Sequence, residues 1–262
     1  MIDPMQYKKA RGMKLLEKYL PQSAPFSNLR IIASYDDWNE VKGEYGSFAC
    51  QRIDLPVGNS NGIVSNTNGS TSDIHRVLYE AKAQDPEAVL IVMNTKQPTC
   101  CRYLYNGSFN VFFKVGDFVI IELNGKGFDA HELNKGLAVH ERYIITWKDM
   151  SLVDGTSKSL ARASIDKYYV SPCQYARQRI QRVNFLVQDC RYRLNDVEEN
   201  VPAQATRLDD ALIENLYDNI VMPILNQKER LISDSYREFC IQGNFVYGKV
   251  QPWEMVTYKR WI

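Results

Sequence analysis

Residues 106–147 read NGSFNVFFKVGDFVIIELNGKGFDAHELNKGLAVHERYIITW, and this stretch limits the fold more than any other part of the chain. Phe109, Val111 and Phe113 are spaced two apart, the period of a strand with one buried face. Gly116-Asp117 then offers a turn, and Phe118-Val119-Ile120-Ile121 is continuously apolar, as in a strand buried on both faces. The pattern predicts an antiparallel pair, entered through a turn at Asn106-Gly107. Its second strand closes on Glu122, and Gly125-Lys126-Gly127 follows. Glycines after a buried strand let backbone approach a ligand closely, and N–H groups there can cradle phosphate. An ordinary loop between a hairpin and a helix explains the same residues equally simply.

The 262 residues allow one large domain or two small ones. Hydrophobic residues make up 45% and charged ones 24%, the balance of a globular chain. A net charge of +1 gives no bulk argument for nucleic acid or a membrane surface. No apolar run approaches the roughly 20 residues of a membrane span. The N-terminus lacks the long apolar segment of a signal peptide. Six cysteines without a CxxC, and three histidines, make poor material for a disulfide framework or a zinc site and fit a reducing cytoplasm.

In chain order, residues 7–20 form an amphipathic helix stopped by Pro21, and 29–33 form a short strand. A helical turn over 36–41 starts at Asp36 or Asp37. Residues 46–56 predict a buried strand that delivers Arg52 to its exit. The polar stretch 59–72 is a long loop, and 74–83 a helix capped by Ser72 or Asp73. Residues 88–93 are a buried strand, 165–170 another, and 172–186 and 208–225 are helical by period. A final hairpin turns at Gln242-Gly243-Asn244. The class is α+β: two lobes, 1–87 and 88–262, with mixed or antiparallel sheets around a cleft.

Placed in this order, four stretches resemble the ATP-grasp nucleotide-binding domain of the phosphoenolpyruvate synthase and pyruvate phosphate dikinase group. Phe48-Ala49-Cys50-Gln51-Arg52 is similar to the strand whose arginine holds ATP phosphates in that group. Residues 88–93, ending in Met93, resemble the strand that meets adenine. Residues 106–143 follow the glycine-rich block, with Gly107, Glu122, Gly125, Gly127, Gly136 and Tyr143 in order. Residues 237–252 resemble the segment that supplies metal and phosphate ligands. Anchored on Gly243 and Pro252, that segment has Lys249 at the metal-binding glutamine and Gln251 at the arginine. The group's N-terminal phosphate-contacting lysine has no counterpart here, and its phosphohistidine and pyruvate-binding domains have no room.

The resemblance implies ATP and magnesium as cofactors, with phosphate transfer or acyl-phosphate activation of an unidentified small-molecule or protein acceptor. Arg52 and Lys249 would act on phosphate, while Glu122 and Glu238 would hold metal. Met93, Gly125, Lys126, Gly127 and Gln251 would complete the nucleotide site. Each has a plainer reading: a salt bridge for Arg52, a turn residue for Glu238, a helix cap for Glu122, and solvent-facing lysines at 126 and 249. His131, His140-Glu141 and Cys100-Cys101 read as ordinary surface or buried residues. Arginines 177, 179, 182, 191 and 193 make a basic helical face. Two other functions therefore stand beside the first: a non-catalytic nucleotide sensor, and an α+β interaction module that works through the basic 172–193 helix.

Overall fold

The computed structural model describes residues 2–24, 26–59, 66–95, 105–116, 118–124, 133, 141–146, 166–168, 210–246 and 248–257. The architecture is α+β, built on two antiparallel sheets. The chain divides into two units, Met1–Cys101 and Arg102–Ile262. Expectations on Gly125, Lys126, Gly127, His131, Gly136, His140, Cys100, Cys101 and the 172–193 helix lie outside the described residues.

The first unit contains α1 (Lys8–Tyr19), β1 (Phe26–Ile32), α2 (Tyr35–Val41), β2 (Phe48–Asp54), β3 (Asn66–Ser70), α3 (Ile74–Gln84) and β4 (Val89–Thr95). Its sheet order is β1-β4-β2-β3. Ala49, Ile53, Leu90 and Val92 point from one sheet face into a core with Trp38 of α2 and Ile74, Leu78 and Ala81 of α3. Helix α1 is held by Asp54, a buried carboxylate at the end of β2. Asp54 accepts N–H bonds from Lys9 at 2.8 and 3.0 Å, from Ala10 at 2.9 Å and from Leu55 at 2.9 Å. The open N–H groups at a helix start are the natural partners of such an anion.

The short helix α2 begins one residue earlier than its acidic residues suggest. Ser34 is the cap, and Asp37 closes a capping box by accepting from Ser34 N at 2.8 Å. Strand β4 pairs with β1 and β2 in the first unit. The lobe division at 87/88 would put residues 88–93 in one sheet with the 102–122 hairpin, and the pairing of β4 corrects this. Its unbroken apolar run marks a central strand, and β1 and β2 supply both neighbours.

The second unit holds β5 (Tyr105–Lys114), β6 (Phe118–Asn124), β7 (Glu141–Thr146), β8 (Asp166–Tyr168), α4 (Asp210–Leu216), α5 (Met222–Leu225), α6 (Lys228–Ser233), β9 (Glu238–Val246) and β10 (Lys249–Thr257). A π-helical turn, Tyr217–Val221, joins α4 to α5. Six strands form one sheet in the order β10-β9-β5-β6-β7-β8. As the alternation predicts, Phe109, Val111 and Phe113 share one face with Val119, Ile121 and Leu123 across the hairpin. The C-terminal hairpin joins them through Phe239, Ile241 and Phe245, so it lies beside β5 as expected. Phe113 and Phe239 stack at 4.9 Å between ring centres.

Two glycine expectations are revised. Gly107 lies within β5 at a register shift, with φ +137°, and does not open a turn. Gly243 lies in mid-strand, opposite both Phe109 and Pro252. The turn of that hairpin falls after Val246, where Gly248 has φ +73°. Gly243 is needed for close approach, because a Cβ there would stand 2.3 Å from Phe109 Cζ and 2.5 Å from Gln251 O. Gly243→Ala should cost about 1–3 kcal/mol, the range for overpacking a filled core, measured by urea unfolding. Phe109→Leu in the same chain should return part of that loss, and a fully additive pair would show that the ring is not the obstacle.

Candidate functional site on the six-stranded sheet

The second face of the large sheet is polar at one end. Alternate residues of β5 and β6 opposite the phenylalanines are Ser108, Asn110, Glu122 and Asn124, and register pairs Ser108 with Asn124 and Asn110 with Glu122. Strand β9 adds Asn244 opposite Ser108 and Gln242 opposite Asn110. Strand β10 adds Gln251 opposite Asn244 and Glu254 opposite Gln242. Two rows result, Gln251–Asn244–Ser108–Asn124 and Glu254–Gln242–Asn110–Glu122, separated by about 6.7 Å along the strands.

Six of these eight groups are withdrawn from water, and Gln242 and Glu254 are half-buried. Glu122 is 0% exposed, Asn110 1% and Gln251 2%. Asn110 Oδ1 and both amide atoms of Gln251 have no hydrogen-bond partner among the described residues. A buried polar atom left without a partner costs about 1–3 kcal/mol, so such atoms mark either a ligand site or a network closed by groups elsewhere. The polar groups are hard-oxygen donors, the kind that magnesium or calcium prefers. The carboxylates of Glu254 and Glu122, however, end the row three strand spacings apart, about 14 Å, and no group of three or more His, Cys, Asp or Glu able to hold a metal occurs among the described residues.

The residues singled out in the sequence fall into separate places. Arg52 is half-buried in β2 opposite Ile91, and Met93 is buried opposite Cys50, so both lie on the face of the small sheet turned away from α2 and α3. Glu122 and Gln251 belong to the polar face of the large sheet. Glu238 begins β9 opposite Lys114. Lys249 begins β10, exposed, opposite Val246. Glu238 and Val246 are the two ends of the nine-residue strand β9, eight steps or about 26 Å apart at roughly 3.3 Å per residue. Lys249 therefore does not meet Glu238, and Gln251 is the buried side chain that β10 contributes.

Sequence reading missed Ser108, Asn110, Asn124, Gln242, Asn244 and Glu254. The signal was present: Ser108/Asn110, Glu122/Asn124 and Gln242/Asn244 are polar pairs two residues apart, each flanking an apolar residue or Gly243. In strands buried on both faces, that spacing places polar groups on one face. Reading 242–244 as a turn hid one of the three pairs.

No protein family matches this chain, and no curated protein does. Among solved structures it is similar to "Ca. Korarchaeum cryptofilum ACD1 in complex with coenzyme A", with 11% identity, 96% of this chain and 92% of that one covered, and a TM-score of 0.48. An overlap at that level bears neither on the fold nor on a ligand. Among the described residues, no helix is long and apolar enough to cross a membrane.

Gln251→Met keeps the length of the side chain and removes the amide. If that amide has no partner in the protein alone, the substitution should raise stability by about 1–3 kcal/mol, read as a higher urea midpoint at unchanged slope. A lower midpoint would show that the amide is already satisfied in the folded chain.

Proposed function

We infer that this chain is an ATP-grasp-type protein that binds ATP with magnesium and serves phosphate transfer or ligase-type activation of an acceptor. The observation that carries the reading is the buried pair Asn110–Glu122, an oxygen-rich part of the sheet face able to hold a cation that itself carries phosphate. Glu122 would be the charged ligand and the Asn110 oxygen a neutral one, while Gln251, three strands away on β10, would meet the nucleotide rather than the metal. Arg52 and Met93 share one face of the small sheet in the first unit; the family resemblance would make Arg52 a bidentate phosphate donor and Met93 apolar surface for the base. Glu238 and Lys249 take no part in this version of the site. Phosphate transfer requires chiefly positioning and charge neutralisation from the protein, which suits a rigid sheet.

Titration of ATP into the protein, with magnesium and with EDTA, tests the reading. Tight binding only with magnesium is expected. Glu122→Gln should abolish the metal-dependent part, whereas Lys249→Gln should leave it unchanged. Equal binding with and without magnesium would favour a nucleotide sensor, and absence of binding would end the ATP reading. Arg52→Ala should weaken ATP binding, and Arg52→Lys should restore only part, since a fork becomes a point charge. Wild-type affinity in Arg52→Ala would remove Arg52 from the site.

A further inference from the structure

The polar rows are tied by a chain of hydrogen bonds that starts at a bulge. Register slips between Pro252 and Glu254 on β10, so Trp253 is an extra residue there. In the amide orientation that satisfies every atom, Asn244 Oδ1 accepts from the Trp253 indole N–H at 2.7 Å. Asn244 Nδ2 then donates to Ser108 Oγ at 2.8 Å and to Gly243 O at 3.1 Å. The Ser108 backbone N–H donates to Asn124 Oδ1 at 2.7 Å. Side chains thus link β10, β9, β5 and β6 across the row that contains Gln251.

The chain has a direction. Indole N–H can only donate, whereas a carboxamide offers both roles and a hydroxyl can donate or accept. Because the indole claims Asn244 Oδ1, the amide nitrogen must face Ser108, and Ser108 Oγ accepts. Its own hydrogen is then kept for another acceptor on the polar face. With the amide reversed, the same 2.8 Å contact makes Ser108 Oγ the donor to Asn244 Oδ1, and that hydrogen is consumed.

We propose that Trp253 is a positioning residue that sets the hydrogen-bond polarity of the sheet face, holding Asn244 so that Ser108 keeps a donor for the face it shares with Asn110. This rests on the ATP reading above: a hydroxyl hydrogen left uncommitted on the polar face suits a phosphate oxygen, and one given to Asn244 does not. Trp253→Phe keeps a ring in the bulge and releases the amide. Asn244→Asp keeps the shape but accepts on both sides, which fixes the reversed polarity without touching Trp253.

The test is titration of magnesium-ATP into the wild type, Trp253→Phe, Asn244→Asp, Ser108→Ala and the Trp253→Phe/Ser108→Ala pair, with thermal melting of each. Each single variant should weaken binding about tenfold, the lower end for partners that orient ligating groups. The pair should bind no more weakly than Ser108→Ala alone, since both act through one hydrogen. A residue that only supports the fold would lower the melting temperature and give losses that add. Additive losses, or unchanged affinity in Trp253→Phe, would overturn the proposal while leaving the ATP reading in place. If Trp253→Phe fails to fold, unchanged affinity in Asn244→Asp is equally decisive against it. A wild type that binds no ATP would end the ATP reading, and this proposal with it.

Discussion

A strand buried on both faces must satisfy two kinds of surroundings at alternate residues, and β5 is where this chain meets that demand. Phe109, Val111 and Phe113 supply apolar bulk to one side, while Ser108 and Asn110 supply hydrogen-bonding groups to the other. Because side chains alternate strictly, a slip of one residue would exchange the two sets. The fit of Phe109 over Gly243 opposes such a slip, since no other residue of β9 lacks a side chain. The apolar face therefore fixes where the polar face stands. Catalysis or binding on one side is only as well placed as the packing on the other.

The first unit solves a different problem. Its sheet has helices α2 and α3 over one face, while α1, joined to β1 through residues 20–25, needs its other end fixed. Asp54 does this through backbone N–H bonds at the helix start. Lys8 N donating to Leu55 O at 3.1 Å and Lys9 Nζ donating to Ile53 O at 2.8 Å reinforce the junction. Three consecutive residues at the end of β2 thus receive the first turn of α1. Arg52 lies one residue before that junction, so it sits on a strand pinned at its far end.

Much of this was legible in the sequence, and the failures share a cause. Alternation in 109–113 and the apolar run 118–121 located the β5–β6 hairpin, and the helix read over 74–83 from its cap ends one residue later, at Gln84. Glycine was the recurrent source of error. Gly107 and Gly243 were read as turn residues because glycine commonly serves turns, whereas Gly243 is required by a ring on the neighbouring strand. Such a requirement is set by a residue 134 positions earlier in the chain, and no local window contains it. The placement of β4 was missed for a related reason: a run apolar on both faces identifies an interior strand but not its neighbours. Within the site, Glu122 and Gln251 were found by resemblance. The carboxamides around them escaped because asparagine is associated with loops, and only pairing across three strands shows them as a row.

The exposed end of β10 has a consequence for the protein in crowded solution. Among the described strands β10 closes one side of the large sheet, where unpaired backbone groups invite a second chain to add itself. Lys249 places a cation at the start of that border, Pro252 deletes a donor within it, and the Trp253 bulge breaks its pleat. A strand arriving alongside would find an interrupted ladder beside a charge. The same bulge that presents the indole to Asn244 thereby helps keep one copy of the chain from templating on another.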